Sequence, residues 1–375
     1  MSIVNTLFLY LICCCCICLF FLYFGSALVM RWIMMYRWMV GVVTIFLIVL
    51  WYQTWSLQLS LWWWLSDLTL AQSERSTTQL HDISGVLSIS PYGTETVLHN
   101  FIQSTKDILY LQTYDFTHKG FRSLLKKLAM HWTDIRIMQE NKKYKQYADT
   151  YKQVVDFFTG VANVQIQSDD ELGTNFLHSK IILTDDRYAI KTSNLTQSAF
   201  KNREYFVFGD DPAIRDSLHT IFLQDRAGER IDPATIHPNL LVCPINCREV
   251  LESLIASAKQ SIVIQTQYIV DDRILELLKK QSWLDIQIVV ADLDSNRDML
   301  YYFGPKIARA LPKPYVHSKV MLIDDRYLYV GSINFSDNSM DKNREIGIVL
   351  TNTDALEAFK KQFMVDWANG VGKWS

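Results

Sequence analysis

The run His178-Ser179-Lys180, then Ile-Ile-Leu-Thr, then Asp185-Asp186-Arg187-Tyr188 recurs as His317-Ser318-Lys319, Val-Met-Leu-Ile and Asp324-Asp325-Arg326-Tyr327. The likeness extends both ways. Asn202-Arg203-Glu204 matches Asn343-Arg344-Glu345 downstream, and Leu124-Leu125-Lys126-Lys127 matches Leu277-Leu278-Lys279-Lys280 upstream. Asp134-Ile135-Arg136-Ile137 likewise matches Asp285-Ile286-Gln287-Ile288. A chain repeated at this spacing must fold as two similar halves.

Each half reads as helix (94–105, 247–258), strand (108–113, 262–267), helix (120–131, 271–281) and strand (134–138, 285–291). After a variable segment (139–176, 292–315) come two strands around an Asp-Asp-Arg turn, 177–184 with 187–192 and 316–323 with 326–331. Apolar strand runs alternating with helices predict an α/β fold with a mainly parallel sheet covered on both faces. The boundaries read as 1–66 for a membrane anchor, 67–84 for a linker, and 85–232 and 233–375 for the two repeats.

Residues two apart on a strand share a face, so His178 projects with Lys180 and His317 with Lys319. An imidazole beside an ammonium suits a phosphate ester: the cation balances the non-bridging oxygens while the imidazole attacks phosphorus or protonates a leaving oxygen. The reaction needs two histidines, and two halves supply them across a pseudo-twofold axis. Two lysines provide the positive charge that other phosphodiesterases take from metal ions, so a site without a metal is chemically sufficient. Ser193, Asn194, Ser332 and Asn334 follow the second hairpin strand and are candidates to hydrogen-bond phosphate. Glu204 and Glu345 are candidates to hold a histidine Nδ1–H and fix its tautomer. Asp185 and Asp324 belong to the motif as catalytic-site candidates, and their place at the turn favours a supporting role.

The pattern His-x-Lys-x4-Asp, present twice and followed in the second copy by Gly331-Ser332-x-Asn334, resembles the paired HKD motifs of the phospholipase D superfamily. The resemblance covers roughly 85–370 and implies a duplicated α/β sandwich with pseudo-twofold symmetry, a phosphohistidine intermediate and no required metal or other cofactor. It also implies His178 as nucleophile and His317 as general acid. One departure is Thr192 where the second copy has Gly331, with a link to Asn194 one residue shorter.

Charge is distributed unevenly. The chain carries 37 Lys and Arg against 39 Asp and Glu, yet before Asp67 the only charged residues are Arg31 and Arg37. Segments 7–30 and 38–58 are each long and apolar enough for a bilayer span, giving one or two transmembrane helices. The arginines between them hold the loop in the cytoplasm, which places both ends of the hairpin, and the catalytic part, on the outer face. Trp51, Trp55, Trp62, Trp63 and Trp64 then suit the headgroup layer. Cys13, Cys14, Cys15, Cys16 and Cys18 read as small apolar residues within the first span, and Cys243 and Cys247 as a pair able to join in an oxidising compartment.

Two N-terminal spans ahead of two such motifs resemble bacterial cardiolipin synthases. The favoured partners are therefore a membrane bilayer and a phospholipid substrate, hydrolysed or transferred to an alcohol. The alternative of a nuclease rests on Lys142-Lys143-Tyr144-Lys145-Gln146-Tyr147 through Tyr151-Lys152, where basic and aromatic residues interleave. A third reading, an inactive tethered binding protein, is opposed by the completeness of both motifs.

Overall fold

The computed structural model describes residues 80–141 and 149–372 continuously, with parts of a helix between 35 and 54. The chain divides into two compact units, Met1–Thr69 and Leu70–Ser375. In the first, residues 38–44 and 50–54 are helical, within the expected span 38–58. The span expected at 7–30, the five clustered cysteines, the tryptophans at 55 and 62–64 and the basic stretch 142–147 lie outside the described residues. Among the described residues no helix is long and apolar enough to cross a membrane.

The second unit contains two seven-stranded sheets of the same topology. The first comprises β1 (Val86–Ile89), β2 (Ile108–Thr113), β3 (Asp134–Gln139), β4 (Val164–Ser168), β5 (Ile181–Leu183), β6 (Tyr188–Lys191) and β7 (Tyr205–Gly209), in the order β1-β7-β6-β5-β2-β3-β4. The second comprises β8 (Leu240–Cys243), β9 (Ser261–Thr266), β10 (Asp285–Ala291), β11 (Ala308–Leu311), β12 (Lys319–Ile323), β13 (Tyr327–Gly331) and β14 (Glu345–Leu350), in the order β11-β10-β9-β12-β13-β14-β8. The two orders are the same read from opposite ends.

The expectation of a mainly parallel sheet needs correction. Only β2-β3-β4 and β9-β10-β11 run parallel, and every other pairing is antiparallel. Connection length decides this. A parallel pair needs a helical crossover, such as Lys119–Met130 between β2 and β3, whereas the short turn between β5 and β6 permits only an antiparallel hairpin.

Alternation along β2 sets the layers. Leu109 and Leu111 face outward into a cluster with the helices Thr94–Gln103 and Lys119–Met130, while Tyr110 faces the opposite sheet. The inner faces of both sheets share one core, with Ile181, Tyr188 and Val207 from one half and Val320, Val330 and Ile348 from the other. Two helices complete that central layer, Pro212–Ala227 and Thr353–Asn369. The first is locally specified at both ends: the Asp211 carboxylate accepts from Ile214 N–H, Pro212 sits in the first turn, and Gly228 closes the helix at φ 64°. Residues of the expected linker also pack here. His81 N–H donates to Asn239 at 2.8 Å, and Ile83 is buried against the second half.

Candidate active site

The two halves meet along their motifs. Strands β5 and β12 are shorter than the expected 177–184 and 316–323, because regular pairing starts only after His178 and at Lys319. The preceding residues leave their own sheet to pair with the other half. Phe176 O accepts from Arg344 N–H at 2.9 Å and His178 N–H donates to Arg344 O at 2.8 Å. Symmetrically, Arg203 N–H donates to Tyr315 O at 2.8 Å and His317 N–H to Arg203 O at 3.1 Å. Each histidine is thus fixed by backbone of the opposite repeat.

The side chains cross in the same way. His178 Nδ1 lies 2.8 Å from both carboxylate oxygens of Glu345, and His317 Nδ1 lies 2.7 Å from Glu204 Oε1. An ionised carboxylate can only accept, so each imidazole donates from Nδ1 and is left with Nε2 facing the cleft. Glu345 also accepts from the Ser339 hydroxyl and from Asn343 Nδ2, and Glu204 from the Thr192 hydroxyl. Both carboxylates are buried.

Lys180 and Lys319 are fully buried, and each Nζ donates 2.6 Å to the carbonyl of its own motif histidine. Burial shapes the titration of all four groups. It pulls His178 down to about 4, with Lys180 and Lys319 adding to the effect and Glu345 opposing it. His317 is lowered by the same causes, with Glu204 opposing. Desolvation lowers Lys319 to about 8 and Lys180 well below the usual lysine value. For Glu345, burial raises the carboxyl but His178, Lys180 and its hydrogen bonds outweigh that, so it stays ionised below the ordinary range. Burial therefore biases both imidazoles toward the neutral form and disfavours the charged form of both lysines.

His178, His317, Asn194 and Asn334 line one cleft of about 680 Å³ together with Tyr114, Phe176, Gln267, Tyr268 and several Ser and Asn side chains. The Oδ1 atoms of Asn194 and Asn334 are buried without a hydrogen-bond partner, so each amide has an acceptor left for an O–H or N–H of a ligand. The two serines are placed differently. Ser332 exchanges hydrogen bonds with the Ile346 backbone, and Ser193 is not among the cleft residues.

This placement corrects the alignment of the halves. Thr192 makes the backbone bonds to Tyr205 that Ser332 makes to Ile346, with Tyr205 N–H donating to the threonine hydroxyl at 2.9 Å and Ile346 N–H to the serine hydroxyl at 3.0 Å. Thr192 thus answers to Ser332, Lys191 to Gly331 and Ser193 to Ile333, and the links to Asn194 and Asn334 are equal. The slip is absorbed in the hairpin turn. Leu183 pairs with Tyr188, whereas Leu322 pairs with Leu328, and the longer second turn puts Asp324 and Asp325 at φ 51° and 52°.

Asp185 and Asp324 lie at the far end of those hairpins from the histidines. The Asp185 carboxylate accepts from the backbone N–H of Lys106, Asp107 and Ile108 at 2.8–2.9 Å, and Asp324 from Lys259, Gln260 and Ser261. Neither lines the cleft. Their carboxylates anchor the starts of β2 and β9, in keeping with the supporting role that their place at the turn favours.

Several partners escaped sequence reasoning. Arg203 reaches across to Asp366 at 2.7 Å, and Arg344 to Asp225 at 3.1 Å. Gln265 and Gln112 donate to the same two aspartates. The Asn-Arg-Glu repeat was the available signal, since an arginine next to a functional glutamate twice over marks a shared buried frame. A third buried lysine, Lys191, donates to Ser193 O at 2.9 Å, and desolvation lowers it to about 7. Cys243 and Cys247 form a disulfide at the end of β8, whose Cys243 pairs with Glu345.

The family model described as "Cardiolipin synthase, PLD-like domain" matches residues 98–226 and 251–367. Cardiolipin synthase of Geobacillus kaustophilus is 28% identical over 231 residues, covering 51% of this chain and 46% of that protein. Cardiolipin synthase of Halalkalibacterium halodurans is 24% identical over 326 residues, covering 73% and 64%. The chain spans about half the length of the first of these. Among solved structures, phosphatidylserine synthase of Haemophilus influenzae aligns with a TM-score of 0.62 at 12% identity, over 80% of this chain and 91% of that one. Polyphosphate kinase of Porphyromonas gingivalis aligns at 0.57 and 13% identity, over 76% and 50%. At these identities the structural likeness is one of fold.

Proposed function

The chain belongs to the phospholipase D-like family of cardiolipin synthase type, and on that premise we propose that it cleaves a phospholipid phosphodiester and passes the phosphatidyl group to water or an alcohol. The observation that carries this reading is the pair of imidazoles in one cleft, each held at Nδ1 by a glutamate of the other half. His178 Nε2 attacks phosphorus, and the leaving alcohol takes a proton from Nε2 of His317, which carries it as the imidazolium once the anionic phosphodiester is bound. Water or an acceptor alcohol then gives a proton to His317 and displaces His178 from phosphorus. Lys180, Lys319 and the amides of Asn194 and Asn334 meet the charge on the non-bridging oxygens. The bound phosphodiester supplies the counter-charge the buried lysines lack, which ties ligand binding to their protonation.

Two features favour a lipid over a nucleic acid. The relatives above are named as cardiolipin synthases, and the lining of the cleft among the described residues has amides, hydroxyls, aromatic rings, the two histidines and the Asp115 carboxylate, with no Lys or Arg. The N-terminal segment, charged only at Arg31 and Arg37 before Asp67, supports attachment to a membrane. The Cys243–Cys247 disulfide supports a catalytic unit on the oxidising, outer side.

Incubating the detergent-solubilised full chain with phosphatidylglycerol, phosphatidylcholine and single-stranded DNA tests the reading. Cardiolipin with glycerol release marks transfer, and phosphatidic acid marks hydrolysis. DNA cleavage without lipid turnover refutes the lipid reading.

A further inference from the structure

The walls of the cleft break its pseudo-twofold symmetry. Tyr114 follows β2 directly, stands edge-on to His178 with centroids 5.2 Å apart, and meets Phe176 at 6.1 Å. The corresponding place after β9 is taken by Gln267, and the counterpart of Phe176, two residues before the other histidine, is Tyr315. Gln267 is pinned at both ends. Its backbone N–H donates to Ser318 O at 3.0 Å, next to His317, and its Nε2 donates to the Tyr315 hydroxyl at 2.7 Å. The wall beside His178 carries the Tyr114 and Phe176 rings, with the Asp115 carboxylate following Tyr114; the wall beside His317 carries the Gln267 amide backed by the Tyr315 phenol, with Tyr268 following it.

We propose that Gln267, held by Tyr315, forms the subsite for the alcohol exchanged at phosphorus and selects a hydroxyl-bearing alcohol, while Tyr114 and Phe176 flank the retained, apolar half of the lipid. The inference rests on the assignment of His178 as nucleophile and His317 as proton carrier. In an in-line displacement the P–O bond that breaks points away from the attacking Nε2 of His178, toward His317, which protonates the departing oxygen. In the second step the acceptor O–H gives its proton to His317 as its oxygen bonds to phosphorus and the P–N bond breaks. Both alcohols therefore occupy the His317 side, where the amide of Gln267 can donate to or accept from a second hydroxyl of a polyol. Water offers no such second group, so the subsite favours transfer over hydrolysis.

The test uses the detergent-solubilised full chain and a p-nitrophenyl ester of phosphatidic acid, whose leaving group departs without a proton or a hydrogen bond from the wall. Nitrophenol release reports the first step, and the ratio of transfer product to phosphatidic acid reports the second, with glycerol and phosphatidylglycerol offered in separate arms. Gln267→Leu is expected to lower that ratio about tenfold, the size of one lost hydrogen bond. Tyr315→Phe, a shape-conserving change, should lower it less, and in both variants the ratio should fall by more than the nitrophenol burst does. A fall in either arm supports the subsite and identifies its alcohol as free or lipid-borne. An unchanged ratio in both variants, or a burst that falls as far as the ratio, overturns the subsite. A wild-type chain that releases no nitrophenol and turns over no phospholipid overturns the underlying phosphodiesterase reading instead.

Discussion

Glu345 belongs to the second repeat and its carboxylate holds Nδ1 of His178, in the first, at 2.8 Å. Glu204 and His317 form the reciprocal pair. Neither half thus contains a finished catalytic histidine. Glu345→Gln is expected to lower kcat by about 100-fold or more, since an amide can donate to Nδ1 and stabilise the wrong tautomer. Glu204→Gln should act comparably. Melting temperatures near that of the wild type, with unchanged kcat in either variant, would contradict the assignment.

The histidines also shape stability. His178 is lowered from 6.5 to about 4 by burial and the neighbouring lysines. Between those values the unfolded chain binds a proton that the folded chain does not. Its contribution is therefore complete above pH 6.5 and is lost as pH falls toward 4, with a slope of up to about 1.4 kcal/mol per pH unit. His178→Gln should flatten the fall in urea midpoint between pH 6.5 and 4.5. Equal slopes for the variant and wild type would show that His178 is not buried in its neutral form.

Anion binding should follow Lys319, which desolvation lowers to about 8. Its ammonium is held below that pH and lost above it, so the inhibition constant of inorganic phosphate should rise by up to tenfold per pH unit above pH 8. Competition assays across pH 7–10 check this, and a constant that first rises near the free lysine value would contradict it.

Asp185→Ala separates anchoring from chemistry. The carboxylate takes three backbone N–H groups at the start of β2, so its loss should cost about 2 kcal/mol or more by denaturant titration. Turnover per folded molecule should stay within about threefold of wild type. A 100-fold fall in kcat without loss of stability would return Asp185 to the catalytic group.

The sequence made the duplication and the residues His178, Lys180, His317 and Lys319 legible because function repeats them at one spacing. It could not show which glutamate serves which histidine, since that depends on how the halves pack rather than on separation along either one. The register of the hairpins was hidden for a different reason. Asp-Asp-Arg-Tyr is identical in both copies, yet the second turn takes one more residue by placing Asp324 and Asp325 in the left-handed region. Lys191 and Thr192 were misaligned as a consequence. The parallel-sheet expectation followed the helix-crossed strands β2 and β3 and overlooked what a short turn imposes on β5 and β6.

The central claim is a covalent phosphohistidine on His178 that needs His317 for its turnover. Acid-labile labelling of the His317→Ala chain with a p-nitrophenyl phosphatidyl ester, read by mass spectrometry of its peptides, tests it most directly. The leaving group needs no proton, so the first step should proceed and the second should stall, accumulating the phosphatidyl adduct on the peptide containing His178. An adduct on any other residue, or full turnover with none detected at His178, would contradict the account.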